Sequence, residues 1–166
     1  MTESNPTPGN NRQPWKIASF GALAGFLAAL LLAWGLMKPL MLVTHASPYG
    51  VEETCRRLQA SIEANGWRCP AIRDMNAAIA KEGLSLDSPV RIVELCKADY
   101  AKDVLETNPE VSTLMPCAFG VYEKDGTVYV TGLNTGLMGK LMGGNIARVM
   151  GGGVGADEAN ILECLN

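Results

Sequence analysis

One stretch without a charged side chain, from Ile17 to Met37, constrains the fold of this chain more than any other feature. A helix of that length rises roughly 30 Å, the thickness of the hydrocarbon core of a bilayer. Trp15 and Trp34 lie near its ends, where aromatic rings favour the membrane interface. The sequence therefore predicts a transmembrane anchor over residues 15–38, preceded by a disordered tail over residues 1–14 that is rich in proline and asparagine.

The apolar run is interpreted as an uncleaved signal anchor. Thr44-x-Ala46 resembles a signal-peptide cleavage site, but the run is longer than the usual apolar region of a signal peptide, which has about 7–15 residues. Arg12 and Lys16 precede the run and favour a cytoplasmic N-terminus. We therefore expect a single-pass protein of a bacterial inner membrane, with the lipid bilayer as a partner and the C-terminal domain in the periplasm.

Residues 39–166 are sufficient for one domain with its own core. The whole chain carries a net charge of −3 and no basic cluster, so we expect no nucleic-acid partner. None of the five cysteines forms a CxxC pair, which excludes a zinc knuckle and a thioredoxin-type motif. Because their number is odd, at least one cysteine is unpaired or bonded to another chain.

Hydrophobic periodicity and turn residues predict strands and helices in alternation after the anchor. The predicted strands are 40–45, 67–72, 89–96, 118–123 and 127–133, and the predicted helices are 51–65, 74–81, 98–107, 134–150 and 157–165. Asp125-Gly126 predicts a hairpin between the last two strands. Residues 151–155 are expected to be a flexible break, with Asp157 capping the last helix. The order of elements predicts an α+β domain with a mostly antiparallel sheet covered by helices.

Cys96 and Cys117 are the leading candidates for chemistry. Cys96 ends one predicted strand and Cys117 begins another. Antiparallel strands would bring the two sulfurs close together, whereas parallel strands would place them at opposite ends of the sheet. In the close arrangement the alternatives are a disulfide, a soft-metal site or a redox dithiol, and Met115 is an additional candidate ligand. The structural alternative is that both cysteines pack as small apolar residues.

His45 is the only histidine, so no site with several histidines can be built. At the end of the first predicted strand it is a candidate ligand of a metal or haem iron, and the alternative is a capping or surface residue. The cofactor is unknown, with a metal or haem as candidates. The carboxylate pairs Glu52-Glu53 and Asp157-Glu158 are assigned to helix starts, where the helix dipole favours them. No catalytic residue is identified, so the protein is not expected to be an enzyme.

The methionine- and glycine-rich helix predicted over residues 134–150 has three interpretations. It could cover the sheet as part of the core, lie on a lipid surface, or form a contact between subunits through Gly139-x-x-x-Gly143. The last two interpretations imply a membrane partner or a homo-oligomer.

Several short motifs resemble domain-of-unknown-function family 302. They are Glu53-Thr54, Leu95-Cys96 followed by Tyr100-Ala101, Pro116-Cys117, and Tyr122 with the Asp125-Gly126 turn. The resemblance covers about residues 40–163. It implies a small α+β domain and places emphasis on Cys96 and Cys117, but it brings no activity with it.

From these features we predict a membrane-anchored domain that acts as a ligand-binding or redox-accessory module through Cys96 and Cys117. The alternative is a non-catalytic interaction module that docks a membrane partner, or a second copy of itself, through helix 134–150. A hydrolase or transferase is the least favoured class, because the sequence identifies no activated nucleophile with a base.

Overall fold

A computed structural model describes residues 25–32, 35 and 40–166. The chain divides into two compact units, Met1–Lys38 and Pro39–Asn166. In the first unit, residues 25–32 and 35 are helical. The predicted tail lies outside the described residues, as does most of the predicted anchor. Within the described part of the chain, no helix has both the length and the apolar character that crossing a membrane requires.

The second unit is an α+β domain built on a five-stranded sheet in which every pair of neighbours is antiparallel. The strands are β1 (Leu42–Ser47), β2 (Ile72–Asp74), β3 (Val90–Leu95), β4 (Cys117–Lys124) and β5 (Thr127–Leu133), in the order β1-β5-β4-β3-β2. The predicted fold class of this domain is therefore confirmed. The strand predicted over 67–72 is wrong in its bounds, because residues 67–71 form only an isolated bridge between Arg68 and Cys96, and β2 covers Ile72–Asp74.

The β4–β5 hairpin forms where the sequence predicts it. Asp125 and Gly126 both have positive φ, at 52° and 75°, and Lys124 pairs directly with Thr127. Asp and Gly tolerate this left-handed region, and its twist matches that of the flanking strands. The turn thereby fixes the register of β4 against β5.

Six α-helices, with two 3₁₀ turns and one π-helix, complete the part of the domain that the structure describes. The α-helices are α1 (Val51–Ala64), α2 (Met75–Ala80), α3 (Ala98–Thr107), α4 (Thr135–Met142), α5 (Gly144–Ile146) and α6 (Gly155–Leu162). The 3₁₀ turns are Pro109–Leu114 and Glu163–Leu165, and the π-helix is Ala147–Val154. Asp74 caps α2 as predicted, since its Oδ1 accepts a hydrogen bond from the amide of Ala77.

The C-terminal third differs from the prediction in two ways. The helix predicted over 134–150 is interrupted at Gly143 and Gly144, whose φ angles of 71° and 54° end α4 and turn the chain. Residues 151–155 are not a flexible break, because the π-helix joins α5 to α6 in one continuous helical stretch. Asp157 consequently lies inside a helix and does not cap one.

The core occupies one face of the sheet. Directly paired strand residues share a face, so Leu95, Val93 and Phe119 point toward the same helices. Leu58, Ile62 and Ile161 of α1 and α6 are fully buried against that face. Each such side chain stabilises the fold by about 1.5–3 kcal/mol. The register places two residues of interest on this face as well, since His45 pairs with Val130 and Cys117 pairs with Leu95.

Candidate functional site

The antiparallel pairing of β3 and β4 brings the two predicted cysteines to the same end of the sheet. Cys117 pairs with Leu95, the residue directly before Cys96. Cys96, Cys117 and Met115 line one small cavity of about 20 Å³. Such a volume holds about one water molecule and is far too small for haem. All five cysteines are free thiols.

His45 lies apart from this sulfur group. It is exposed on β1 and lines a broad groove of about 790 Å³ between the β1–β5 edge and α6. The structure thus brings together Cys96, Cys117 and Met115, and places His45 in a different cavity. Among the residues described, no group of three His, Cys, Asp or Glu side chains is close enough to hold a metal ion.

A third cavity, of about 230 Å³, lies where β4 meets α4 and the π-helix. We call it the Glu158 cavity. Four of its twelve lining residues carry sulfur, and most of the others are aliphatic. The sulfur-bearing residues are Cys117, Met138, Met142 and Met150, and the remaining lining includes Val111, Leu114, Leu133 and Ile146. Methionine is flexible and polarisable, so this wall can adapt to ligands of different shape.

Glu158 and Thr135 supply the polar groups of this cavity, and both also line the groove that contains His45. The hydroxyl of Thr135 donates a hydrogen bond of 2.8 Å to Oε2 of Glu158. Burial raises the pKa of Glu158 to about 7, against the lowering effect of that hydrogen bond. The carboxyl therefore changes between its neutral and charged forms near neutral pH.

Cys117 lines the same cavity as this carboxyl. Burial, together with the smaller effects of the charges of Glu158 and Cys96, raises the pKa of Cys117 to about 12. Burial likewise raises the pKa of Cys55 in the core to about 11. At neutral pH both groups are thiols, and the thiolate is the form that reacts as a nucleophile.

The position of Glu158 follows from the continuous helical stretch. Val154 and Ile161, four residues before and three after it, are both buried, so Glu158 lies on the apolar side of α6. Asp157, its neighbour, instead accepts hydrogen bonds of 2.9 Å from the indole of Trp67 and the ammonium of Lys97. Adjacent carboxylates therefore have different surroundings.

Sequence reasoning missed Glu158 because it assigned Asp157-Glu158 to the start of a helix. Both carboxylates do lie in the first turn of α6, but the π-helix leads into α6 without a break. The assignment of Glu52-Glu53 is correct, because both lie in the first turn of α1. The sequence did contain a signal for the position of Glu158. Its spacing from Val154 and Ile161 places all three residues on one face of a helix.

The methionine- and glycine-rich region covers the sheet, as the first of its three interpretations predicts. Met138 and Met142 line the Glu158 cavity. Gly139 is buried, and a Cβ atom on it would lie 2.9 Å from the backbone nitrogen of Gly151 in the same chain. Leu141, with 69% of its surface exposed, lies on the outer side. A docking role for that side stays a prediction.

The domain is similar to known proteins of one family. The family model described as "Domain of unknown function DUF302" matches residues 43–159, in agreement with the resemblance seen in the sequence. An uncharacterised conserved DUF302 protein from Bacillus stearothermophilus, known from its crystal structure, aligns with a TM-score of 0.69 and 22% identity. The alignment covers 76% of this chain and 99% of that one, and at this identity it shows the fold alone. No curated protein matches the chain.

Proposed function

The chain belongs to the family described as domain of unknown function DUF302, and from that premise we propose that its domain binds a small, largely apolar molecule in the Glu158 cavity. The observation that carries the proposal is a volume of about 230 Å³ with an aliphatic and thioether wall and two convergent polar groups, Glu158 and Thr135. An apolar wall with a few convergent polar groups is the usual lining of a small-molecule site, and the volume restricts the ligand to a molecule smaller than a typical drug. A cavity of about 150 Å³ is large enough for benzene, so this one accepts a substituted ring or a short branched chain.

Binding is favoured over thiol redox chemistry. Cys96 and Cys117 share a cavity of only about 20 Å³, which leaves little room for a partner thiol or a soft ion with other ligands. The raised pKa of Cys117 also keeps it in the unreactive thiol form at neutral pH. In this proposal Cys117 is part of the wall of the binding site.

The test uses the full chain in a non-ionic detergent, labelled with ¹³C at the methionine methyl groups. Titration with 2-phenylethanol should shift the methyl signals of Met138, Met142 and Met150, which line the cavity. Met115 lines the small cavity instead and serves as the internal control. Single methionine-to-leucine substitutions assign the signals.

Ile146→Phe provides the matched block, since Ile146 is 4% exposed and lines the same cavity. The larger side chain should weaken binding of the probe by about ten-fold or more, corresponding to about 1.4 kcal/mol. Met138→Phe replaces it if the first variant fails to fold. Uniform small shifts of all methionine methyl signals, unchanged by either variant, would contradict a binding site here.

The same proposal includes the membrane tether over residues 15–38, with the domain on the periplasmic side of the inner membrane. It is supported by the uncharged run Ile17–Met37 and the basic residues before it. The protein should stay in the membrane pellet after extraction with alkaline carbonate, and protease should digest the domain in spheroplasts. Replacement of Leu27 and Leu31 by arginine should release the protein from the pellet, because each arginine at mid-span costs about 3 kcal/mol. Recovery of the unmodified chain in the soluble fraction would contradict the tether.

A further inference from the structure

The two spaces that meet at Glu158 have an uneven distribution of charge. Their titratable side chains are His45 from β1, Cys117 from β4, and Glu158 and Glu163 from the C-terminal helical stretch. Among the described residues, no lysine or arginine lines either space. Basic side chains of neighbouring elements point elsewhere, since Arg148 pairs with Asp103 at 2.5 Å, Lys97 pairs with Asp157, and Lys140 of α4 is exposed and does not line either space.

We propose that the ligand of the Glu158 cavity is a small organic cation, a molecule with an apolar body and a primary or secondary ammonium group that pairs with the carboxylate of Glu158. The inference rests on the proposed function and names the class of ligand. The apolar body lies between Ile146, Met138 and Met150, and the ammonium group lies at Glu158, where the cavity and the groove share their lining.

The energetics select among three classes of ligand. An anion would enter a space that offers it no cation and would face a carboxylate, so like charge excludes it. A neutral molecule covers the half-buried carboxyl without giving its charged form a counter-ion, so the carboxylate loses solvation and gains no pairing. A cation offsets the desolvation of the carboxylate by direct pairing, and the hydroxyl of Thr135 continues to donate to Oε2.

Proton balance follows directly from this pairing. When the free protein holds Glu158 in the neutral form, binding of an ammonium ion releases the carboxyl proton to solvent. The ligand keeps its own proton, because an alkyl ammonium group has a pKa near 10. Affinity for the cation should therefore rise with pH until Glu158 is fully ionised.

Three probes of matched size test the inference on the full chain in non-ionic detergent: 2-phenylethylammonium, 2-phenylethanol and phenylacetate. The methionine methyl signals of Met138 and Met150 report binding. At about pH 8.5 the ammonium probe should bind about ten-fold more tightly than the alcohol, and phenylacetate should not bind. At about pH 5.5 the preference for the cation should be lost.

Glu158→Gln keeps the shape of the side chain and removes its charge. It should weaken binding of 2-phenylethylammonium by about ten-fold at about pH 8.5, abolish the pH dependence, and leave the affinity for 2-phenylethanol within about two-fold. Glu163→Gln, at an exposed position of the same groove, is the matched control and should leave all three affinities unchanged. His45→Gln replaces the histidine of the neighbouring groove, and the pH dependence should persist in this variant.

The possible failures are distinguishable. Binding of the alcohol with no preference for the ammonium probe overturns the inference on ligand class and leaves the binding function intact. A preference that survives in Glu158→Gln also overturns it, because another group then recognises the cation. If neither probe moves the cavity methyl signals, the proposed function itself is wrong.

Discussion

Two glutamates, the buried Glu94 and the half-buried Glu158, have different partners. Glu94 is only 9% exposed, and its carboxylate is bonded to the guanidinium of Arg73. The carboxyl of Glu158 instead accepts a hydrogen bond from the hydroxyl of Thr135, which carries no charge. A buried carboxylate without a cation is costly, so proteins retain one mainly where it has a role. At the scale of single residues, this contrast separates a structural ion pair from a candidate binding group.

Glu158 should make stability depend on pH in a defined direction. Burial raises its pKa from 4.5 to about 7, so the folded state binds the proton more tightly than the unfolded state. Its stabilising contribution is complete below about pH 4.5 and is lost as the pH rises through about 7. Between about pH 5 and pH 8 the wild type should therefore lose roughly 2 kcal/mol more than Glu158→Gln.

Urea unfolding of both proteins at the two pH values measures this difference, and the comparison cancels the titration of all other groups. Glu163→Gln should follow the wild type. Parallel curves for the wild type and Glu158→Gln would show that the carboxyl keeps an ordinary pKa in the fold.

Cys117 should be slow to react in the native protein. With a pKa raised to about 12 by burial, its thiolate fraction at about pH 8 is on the order of 10³-fold below that of a free cysteine. Alkylation with iodoacetamide, followed by peptide mapping, should show Cys117 modified about 10³-fold more slowly in the native chain than in urea. Equal rates of alkylation in the native chain and in urea would mean that the thiolate of Cys117 is accessible in the fold. That result would favour the redox interpretation.

At the scale of elements, the strands were more predictable than the C-terminal helices. Alternation in β3 and the Asp125-Gly126 turn depend on local sequence, so both elements were predictable. The strand order was not predicted, and the meeting of Cys96 with Cys117 was left open because it depends on the antiparallel pairing of β3 with β4. The π-helix was not predicted from the sequence, because glycine has a low helix propensity and the glycines of residues 151–155 predict a break. Close backbone packing between Gly139 and Gly151 overrides that propensity, and this contact is tertiary.

This packing predicts different effects on stability for alanine substitutions at two glycines. In Gly139→Ala the new methyl group would lie 2.9 Å from the backbone nitrogen of Gly151, which cannot move without shifting the π-helix. We expect a loss of about 1–3 kcal/mol in the free energy of unfolding. Gly152→Ala is the control in the same π-helix, with no atom within 4 Å of the new methyl group, and should be neutral or stabilising by up to about 1 kcal/mol.

Chemical denaturation of the two variants gives the comparison, and the methionine methyl signals show whether the wall of the Glu158 cavity moves. Because Met138 lies next to Gly139, Gly139→Ala should also weaken binding of 2-phenylethanol. Equal stability of the two variants would show that α4 and the π-helix are not packed backbone to backbone.

At the scale of the whole molecule, the domain should fold without the N-terminal segment. Among the residues that the structure describes, the buried apolar core runs from Val51 to Leu165. The DUF302 protein from Bacillus stearothermophilus aligns over 99% of its own length with 76% of this chain. In that structure the fold is therefore formed by a chain that consists of almost nothing but this domain. The signals for a membrane tether lie in residues 15–38, before the family match begins at residue 43.

A fragment of residues 39–166 should therefore be soluble and as stable as the domain in the full chain, within about 0.5 kcal/mol. Trp67 is the one tryptophan of that fragment and is 4% exposed, so its fluorescence reports unfolding directly. Its hydrogen bond to Asp157 joins the loop after α1 to α6, and loss of that bond exposes the indole to water. A fragment that binds 2-phenylethanol with the affinity of the full chain would locate the binding function in the domain. The role of the N-terminal segment would then be to anchor the domain. A fragment that unfolds at much lower urea concentration would instead make that segment part of the folded structure.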